Sequence, residues 1–258
     1  MGQLEGKIAV VTGGGRGIGR AIAKRYAEEG ADVVISSRTQ SDLDAVVESM
    51  AALGRTGVAV VADATVKESA QEPVRVALER FGRVDVLVNN VGGTIGRHHD
   101  PFADDPDGSF ERTLQFCLTS IYWTTQAAFP AMREQGSGSV ISIGSGASRH
   151  ASGTVAYTAA KHGLVGLTKQ LAAAAAPYGI TVNLLCPGWT NTSLVDWDNI
   201  AKRRGVSVAE AQESAFADSA QHRILEAEEL SGMATLLAAA DGRGITGQSI
   251  AVDGGYRL

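Results

Sequence analysis

A tyrosine and a lysine stand four residues apart in the stretch Ala156-Tyr157-Thr158-Ala159-Ala160-Lys161. The surrounding sequence predicts a helix, and residues four apart on a helix share one face, so the phenol of Tyr157 and the ammonium of Lys161 should be neighbours. A phenol is a poor base at neutral pH, but a nearby cation in a partly desolvated cleft stabilises the phenolate. The pair therefore predicts a proton donor and acceptor that works near neutral pH.

A glycine-rich stretch, Thr12-Gly13-Gly14-Gly15-Arg16-Gly17-Ile18-Gly19, lies near the start of the chain. Gly13, Gly17 and Gly19 follow a predicted strand and open a predicted helix, where backbone N–H groups and the helix dipole can face a pyrophosphate. The spacing Gly-x-x-x-Gly-x-Gly differs from the longer-chain dinucleotide fingerprint, and such clusters also occur in tight strand-to-helix turns. Its place at the first strand–helix junction favours a dinucleotide site. A hydride carrier beside a proton donor predicts an oxidoreductase.

The end of the second predicted strand, Ser36-Ser37-Arg38-Thr39, indicates which nicotinamide cofactor the chain uses. A carboxylate about 20 residues beyond the glycines would bind the ribose 2′-hydroxyl of NAD(H). None stands there, since the nearest aspartates precede the strand core or fall in the next helix. Arg38 and Arg16 offer guanidinium groups to a 2′-phosphate, and Ser37 adds a hydroxyl. The sequence favours NADP(H), with NAD(H) possible; the alternative is that both arginines are simply solvated.

The composition excludes several classes of function. A formal net charge of -5 and a pI of about 5.6 argue against a nucleic-acid partner, which requires a basic face. The most apolar run is far shorter than the roughly 20 residues that cross a bilayer, and the N-terminus lacks the basic segment of an export signal, so we expect no membrane association. Cys117 and Cys186 lack paired spacing and should be reduced thiols, as in the cytoplasm.

Short β-branched runs alternate with longer helical patterns along the 258 residues. Strands of continuous Val and Ile are buried on both faces, which is typical of a parallel sheet. We therefore predict one α/β domain over residues 1–258, a Rossmann-like, doubly wound parallel β-sheet flanked by helices on both faces. The predicted strands are 7–11, 32–36, 57–61, 84–88, 139–143, 180–185 and 249–252. The predicted helices are 17–29, 41–53, 74–81, 110–133, 154–176 and 227–239, and Pro73 is expected in an opening turn or at a kink.

The segment at about 191–222 breaks this alternation with charged, helix-prone residues. It follows the carboxyl end of a strand, where open α/β sheets place their ligands. We interpret it as a substrate lid, with a solvent-facing helical insertion as the alternative.

These ordered motifs resemble the short-chain dehydrogenase/reductases of the single-domain type, among them the 3-oxoacyl carrier protein reductase-like members, and the resemblance covers nearly the whole chain. It implies that Tyr157 and Lys161 are the family's signature pair. It also implies that Ser145, twelve residues before Tyr157, is the hydroxyl that holds the substrate oxygen, with Ser148 as the alternative. Tyr157 would then give a proton to a carbonyl while the nicotinamide delivers hydride, and the reverse reaction would oxidise an alcohol.

The resemblance implies the rest of the cofactor site. Asp63 would lie on the adenine side, Asn89-Asn90-Val91-Gly92 resembles the family's Asn-Asn-Ala-Gly element, and Lys161 would hold the nicotinamide ribose. Thr192 and the backbone near Thr190 would fix the carboxamide. The expected cofactor-binding residues are Gly13, Arg16, Gly17, Ile18, Gly19, Ser37, Arg38, Asp63, Ala64, Asn90, Val91, Gly92, Tyr157, Lys161, Pro187, Gly188, Thr190 and Thr192.

Two positions depart from the family pattern. Cys117 falls where many members carry a helix asparagine that supports a water beside the lysine; it either changes the proton relay or fills the core. Val91-Gly92-Gly93-Thr94-Ile95 is similar to the corresponding stretch of some dihydrodiol dehydrogenases. The alternatives are therefore an NAD-dependent dihydrodiol or secondary-alcohol dehydrogenase and a catalytically inactive nucleotide-binding protein.

Several weaker patterns remain. His98-His99-Asp100 lacks the further spaced ligands of a metal site, so we predict a solvated loop and no metal. His150 and Trp189 either line the substrate pocket or pack. Gly163 and Gly166 would allow a second helix to approach closely, and by family analogy we expect a homotetramer or homodimer. The partner is a small-molecule carbonyl or alcohol whose identity no motif reveals.

Overall fold

Parallel strands form the central sheet of the computed structural model, which describes residues 2–96 and 102–258. Its seven strands are β1 (Ile8–Thr12), β2 (Asp32–Ser37), β3 (Gly57–Val61), β4 (Val86–Asn89), β5 (Gly138–Ile143), β6 (Ile180–Pro187) and β9 (Ser249–Val252). They lie in the order β3-β2-β1-β4-β5-β6-β9, and every neighbouring pair is parallel. The predicted doubly wound parallel sheet is confirmed.

Helices cover both faces of this sheet. They are α1 (Gly17–Glu28), α2 (Gln40–Ala51), α3 (Lys67–Phe81), α4 (Ser109–Leu114), α5 (Ser120–Gln135), α6 (Val155–Ala175), α7 (Trp197–Arg204), α8 (Val208–Ala217) and α9 (Ala227–Ala238). Residues of α1, α2 and α9 pack on one face, and residues of α3, α5 and α6 pack on the other. The two apolar layers explain why the strands carry Val and Ile on both sides.

The strand order reverses between β1 and β4. Thr12, the last residue of β1, is in register with Asn89, the last residue of β4. In open α/β sheets a crevice forms at this switch point, outside the carboxyl ends of the strands. The glycine-rich turn follows β1 and the paired asparagines end β4, so the topology brings both predicted motifs to one crevice.

Two helices differ from the sequence-based prediction. Helix α3 begins at Lys67 rather than Val74, so Pro73 lies in the helix interior and not in an opening turn. Its buried face, which includes Ala70, Val74 and Ala77, packs against the core and outweighs the hydrogen bond that proline cannot donate. The predicted helix 110–133 is interrupted by a π-helical segment, Gln115–Thr119, between α4 and α5.

The predicted lid segment contains helices α7 and α8. Its two ends are held together by a small parallel pair, β7 (Thr190–Asn191) with β8 (Leu225–Glu226), which the sequence did not indicate. The apolar side chains of Ile200, Ala201 and Ala211 form a separate small core with Trp189 and Trp197. The segment is therefore a folded helix pair with its own small core, and the β7–β8 pair joins its two ends. Within the described residues, no helix is both long and apolar enough to cross a membrane.

Candidate active site

A cleft of about 1470 Å³ opens at the carboxyl edge of the sheet. Its wall includes Ser145, Tyr157 and Lys161, and the lid segment contributes residues 192–195, Ile200, Arg203 and Arg204. The predicted cofactor residues that line it are Gly13, Arg16, Gly17, Ile18, Ser37, Arg38, Ala64, Asn90, Val91, Gly92, Pro187, Gly188, Thr190 and Thr192. Gly19 and Asp63 do not line it. The structure therefore places the predicted proton donor and the predicted cofactor turn in one cavity.

The glycine turn leaves the start of α1 open to an anion. Gly13 and Gly17 have positive φ angles of 65° and 54°, a conformation that L side chains rarely adopt. Helix α1 has no side-chain cap at its N-terminus and no acidic residue in its first turn. The free N–H groups and the helix dipole are thus available to a phosphate, which fits a dinucleotide.

Asn90 fixes the glycine turn to the end of β4. Its backbone N–H donates to Thr12 Oγ1 at 3.1 Å, and its Nδ2 donates to Thr12 O at 3.2 Å and Gly13 O at 3.0 Å. Gly19 packs under the same turn, because a Cβ on Gly19 would lie 2.3 Å from Gly13 O. Asn90 and Gly19 therefore shape the cradle.

Charged groups at the β2 end of the cleft are arranged unevenly. Arg16 and Arg38 are exposed, and no carboxylate of the described residues lies within ion-pair distance of either guanidinium. Hydrogen bonds from the Thr65 backbone and hydroxyl, aided by the charge of Arg38, lower the pKa of the Asp63 carboxyl. Asp42 adds a carboxylate to the cleft wall near this end. On the cleft wall at this end, two guanidinium groups outside ion-pair distance of any described carboxylate thus face one carboxylate, that of Asp42.

Tyr157 and Lys161 lie on the first turns of α6. Thr154 caps this helix by accepting the Tyr157 N–H at 3.2 Å. The Lys161 side chain is buried, its Nζ donates to Ile143 O at 2.8 Å, and the same nitrogen lies 5.6 Å from the centre of the Tyr157 ring. A Cβ on Gly92 would lie 3.0 Å from Nζ, so a glycine there gives the ammonium room. The end of β5 thus holds the ammonium beside the Tyr157 ring.

Ser145 follows β5 and presents its hydroxyl to the cleft. The Ala147 N–H donates to Ser145 Oγ at 3.1 Å, which leaves the hydroxyl proton of Ser145 available to a substrate oxygen. Ser148 accepts the Ser145 N–H at 3.2 Å, is buried and does not line the cleft. This geometry favours Ser145 over Ser148 as the substrate-binding hydroxyl.

Cys117 lies in the π-helical segment and is fully buried. Its thiol donates to Gly93 O at 3.0 Å, and the Gly93 N–H donates to Cys117 Sγ at 3.2 Å. The side chain therefore ties the helix to the loop after β4, one residue beyond the Gly92 that faces Lys161. Neither interpretation of Cys117 from the sequence included this pairing with the Gly93 backbone. The residue lies in a π-helical segment, a feature that often marks functional sites.

A chain of hydrogen bonds that no sequence motif indicated joins the lid to the C-terminal tail. Trp189 Nε1 donates to Asp218 Oδ2 at 3.2 Å, Arg257 Nε donates to Asp218 Oδ1 at 3.1 Å, and Arg257 Nη1 donates to Ala151 O at 2.9 Å. Tyr256 and Arg257 line the cleft. Their position after β9 was the available signal, because residues that follow a parallel strand reach the ligand edge of the sheet.

The weaker sequence patterns have separate outcomes. Trp189 lines the cleft, whereas His150 does not and instead packs edge-on against Tyr256 at 5.9 Å between ring centres. The His98-His99-Asp100 stretch lies outside the described residues. Within the described part of the chain, no group of His, Cys, Asp and Glu side chains could hold a metal ion. Cys117 and Cys186 are both free and buried.

Comparison with known proteins agrees with this geometry. Residues 7–202 match the family model of the short chain dehydrogenase family. The chain is 38% identical over 255 residues to an L-rhamnose 1-dehydrogenase (NAD(P)(+)) of Azotobacter vinelandii, with 96% of each chain covered. It is 36% identical over 258 residues to a 2,3-dihydroxy-2,3-dihydro-p-cumate dehydrogenase of Pseudomonas putida, covering 99% of this chain and 96% of that relative.

A solved structure shares the fold. It is a blue fluorescent protein from a metagenomic library in complex with NADPH, which superimposes with a TM-score of 0.88 at 34% identity and covers 99% of this chain and 100% of that one. The family match spans more than half of the chain, and the relatives are named dehydrogenases that align along almost its whole length. The chain belongs to the short-chain dehydrogenase/reductase family and is an oxidoreductase of the kind that acts on CH–OH groups with a nicotinamide cofactor.

Proposed function

We propose that the protein is an NADP(H)-dependent oxidoreductase that interconverts a ketone or aldehyde with the corresponding alcohol, with Tyr157 as general acid and base. The observation that carries the proposal is the shared cleft. Ser145, Tyr157 and the buried Lys161 lie on its wall together with an uncapped helix start suited to a dinucleotide phosphate.

Each of the three side chains has its own role in the proposed reaction. Bound nicotinamide supplies the hydride chemistry. Ser145 can donate its hydroxyl proton to a carbonyl oxygen, because its oxygen is held by the Ala147 N–H and its proton is not committed. Tyr157 transfers a proton to that oxygen, and Lys161, fixed by Ile143 O, supplies a nearby positive charge that favours the phenolate left behind. In the alcohol-oxidising direction the Tyr157 phenolate accepts the proton of the alcohol hydroxyl.

A substrate screen tests this function directly. Purified protein is incubated with NADPH and a panel of ketones and aldehydes, or with NADP⁺ and a panel of alcohols, while the reduced-nicotinamide absorbance is followed. We expect turnover of at least one class. No absorbance change over a broad panel with either nicotinamide cofactor would contradict the proposal.

The cofactor preference is expected to depend on Arg38. Its exposed guanidinium lines the cleft without a carboxylate partner among the described residues, as a 2′-phosphate site requires. Arg38→Gln should weaken NADPH binding by about tenfold to a hundredfold, the loss typical of a hydrogen bond to a charged group, and leave NADH binding unchanged. Fluorescence titration with both cofactors measures this.

The matched control for that change is Arg20→Gln. Arg20 is an exposed arginine on α1 that does not line the cleft, so its loss should leave both affinities unchanged. Equal weakening of NADH and NADPH by Arg38→Gln would show that Arg38 binds a group common to both cofactors.

A second candidate is an NAD-dependent dihydrodiol or secondary-alcohol dehydrogenase. It is favoured by the carboxylate of Asp42 on the cleft wall near Gly15 and Ser37, and by the relative whose name gives a dihydrodiol substrate. A carboxylate near that end could accept from ribose hydroxyls and repel a 2′-phosphate. Tighter binding of NADH than of NADPH by the unmodified protein would favour this candidate.

We also propose a homotetramer or homodimer in the cytoplasm. Gly166 on α6 is exposed, and nothing lies within 4 Å of the position of an added Cβ, so the helix presents a smooth face to a second copy. Light scattering after gel filtration measures the assembly.

The alternative of a catalytically inactive nucleotide-binding protein rested on Cys117. The Cys117 thiol hydrogen-bonds to the Gly93 backbone and leaves Tyr157 and Lys161 in place.

A further inference from the structure

The cleft is far more basic than the molecule as a whole. The chain carries a formal net charge of -5. Among the described residues, the cationic side chains on the cleft wall are Arg16, Arg38, Lys161, Arg203, Arg204 and Arg257, and the acidic one is Asp42. A cleft lined by one sign of charge concentrates the field and attracts ligands of opposite charge. The cleft is therefore suited to a ligand with negative charge.

Two of these arginines lie at the cofactor end. Arg16 is in the glycine turn and Arg38 follows β2, and both face the region expected to hold the dinucleotide phosphates. Lys161 is buried beside Tyr157. The proposed cofactor and proton relay account for these three cations. They do not account for the three arginines that the lid and the C-terminal tail contribute, Arg203, Arg204 and Arg257.

Arg257 and Arg204 already have partners. Arg257 is ion-paired with Asp218 at 3.1 Å and donates to Ala151 O, within the loop that leads to Tyr157. Arg204 Nη1 donates to Ser214 Oγ at 3.2 Å, which joins α7 to α8. Both side chains are held as parts of the lid and tail, and the Asp218 carboxylate offsets the charge of Arg257.

Arg203 differs from both. It is exposed, lines the cleft, and makes no hydrogen bond or ion pair with any described residue. It stands one turn after Ile200, which also lines the cleft and packs with Trp189, so this face of α7 is turned to the substrate end. Lys202 lies in the same last turn and does not line the cleft. A basic residue can therefore stabilise the C-terminus of α7 without facing the cleft, so this role does not explain why Arg203 lies on the cleft wall.

We propose, on the basis of the function proposed above, that the substrate carries an oxyanion, a carboxylate or a phosphate, which the guanidinium of Arg203 binds at the lid side of the cleft. The planar fork of a guanidinium matches either group with two parallel hydrogen bonds. The anion would hold the reacting carbon of the substrate at the Tyr157 end, and the neighbouring Arg204, whose partner Ser214 is neutral, would add long-range attraction. Arg203 is thus a specificity-determining residue rather than a member of the proton relay.

The test compares matched ligands on the cofactor complex of the full chain. Isothermal titration of the protein saturated with its preferred reduced cofactor, with which an alcohol cannot react, uses hydroxy acids against their methyl esters, and sugar phosphates against the free sugars. We expect one anionic set to bind at least about tenfold more tightly than its neutral set, and we expect this preference to shrink as salt is added. Preference for acids identifies a carboxylate, and preference for sugar phosphates identifies a phosphate. No preference, or no anion binding up to millimolar concentrations, would overturn the proposal.

Variants locate the site. Arg203→Gln should remove the anion preference by about tenfold or more and leave cofactor affinity unchanged, while Lys202→Gln, in the same helical turn, should preserve the preference. If Arg203→Gln left the anion preference unchanged, or weakened cofactor binding instead, Arg203 would not be the residue that binds the substrate anion. The result is separable from the oxidoreductase proposal, because turnover that depends on Tyr157 can be observed with neutral alcohols even where anion binding fails.

Discussion

Replacing Tyr157 with phenylalanine is expected to lower kcat by about 10²- to 10⁴-fold, the usual contribution of a positioned proton donor, with a much smaller effect on cofactor affinity. The substitution removes one oxygen and keeps the ring. The ring's contacts with the Gly153 backbone region and the Lys161 ammonium should therefore persist, and the Thr154 cap of α6 uses only the backbone N–H of residue 157. Only the group that transfers the proton is lost.

Steady-state kinetics and a cofactor titration measure the two quantities separately. The control is Tyr178→Phe, which removes a hydroxyl from a partly exposed tyrosine that packs on Phe129 and does not line the cleft. It should leave kcat unchanged. If Tyr157→Phe retained more than about a tenth of the original kcat, the general acid would have to be sought elsewhere in the cleft.

The relation between Tyr157 and Lys161 could be predicted from sequence because it is local. Helical periodicity alone puts residues four apart on one face, and the structure places the lysine nitrogen 5.6 Å from the ring centre. The glycine turn is likewise short-range, and the strands followed from runs of Val and Ile buried on both faces. The alternation of these elements then left few topologies to consider, and the doubly wound sheet was among them.

Contacts between distant segments could not be predicted in the same way. Cys117 pairs with Gly93 across 24 positions of sequence, and Asp218 meets Arg257 across 39. The residue types of Cys117 and Asp218 do not indicate these partners. A buried thiol commonly fills space in a core, and surface ion pairs are frequent. Helix α3 shows the converse, because a proline that disfavours a helix locally is overruled by the packing of Ala70, Val74 and Ala77 against the core.

Replacing Gly19 with alanine is expected to weaken NADPH binding by at least about a hundredfold and to lower the melting temperature. A Cβ at this position would lie 2.3 Å from Gly13 O and 2.5 Å from Asn90 Nδ2, far inside any real contact. The turn cannot move aside freely, since Asn90 Nδ2 also donates to Thr12 O and Gly13 O. Relief of the collision must therefore distort the strand-to-helix turn, and overpacking of this kind typically destabilises a fold by about 1–3 kcal/mol.

The control for this change is Gly232→Ala on α9. Gly232 is exposed within a helix, and nothing lies within 4 Å of the position of its added Cβ, so alanine should preserve cofactor affinity and raise stability by up to about 1 kcal/mol. Thermal melts with and without NADPH separate the two effects of Gly19→Ala, because only a protein that still binds the cofactor is stabilised by it. A Gly19→Ala protein that keeps its affinity would show that the turn tolerates a side chain at this position, and the close approach of α1 to Gly13 would then not be what holds the cofactor site open.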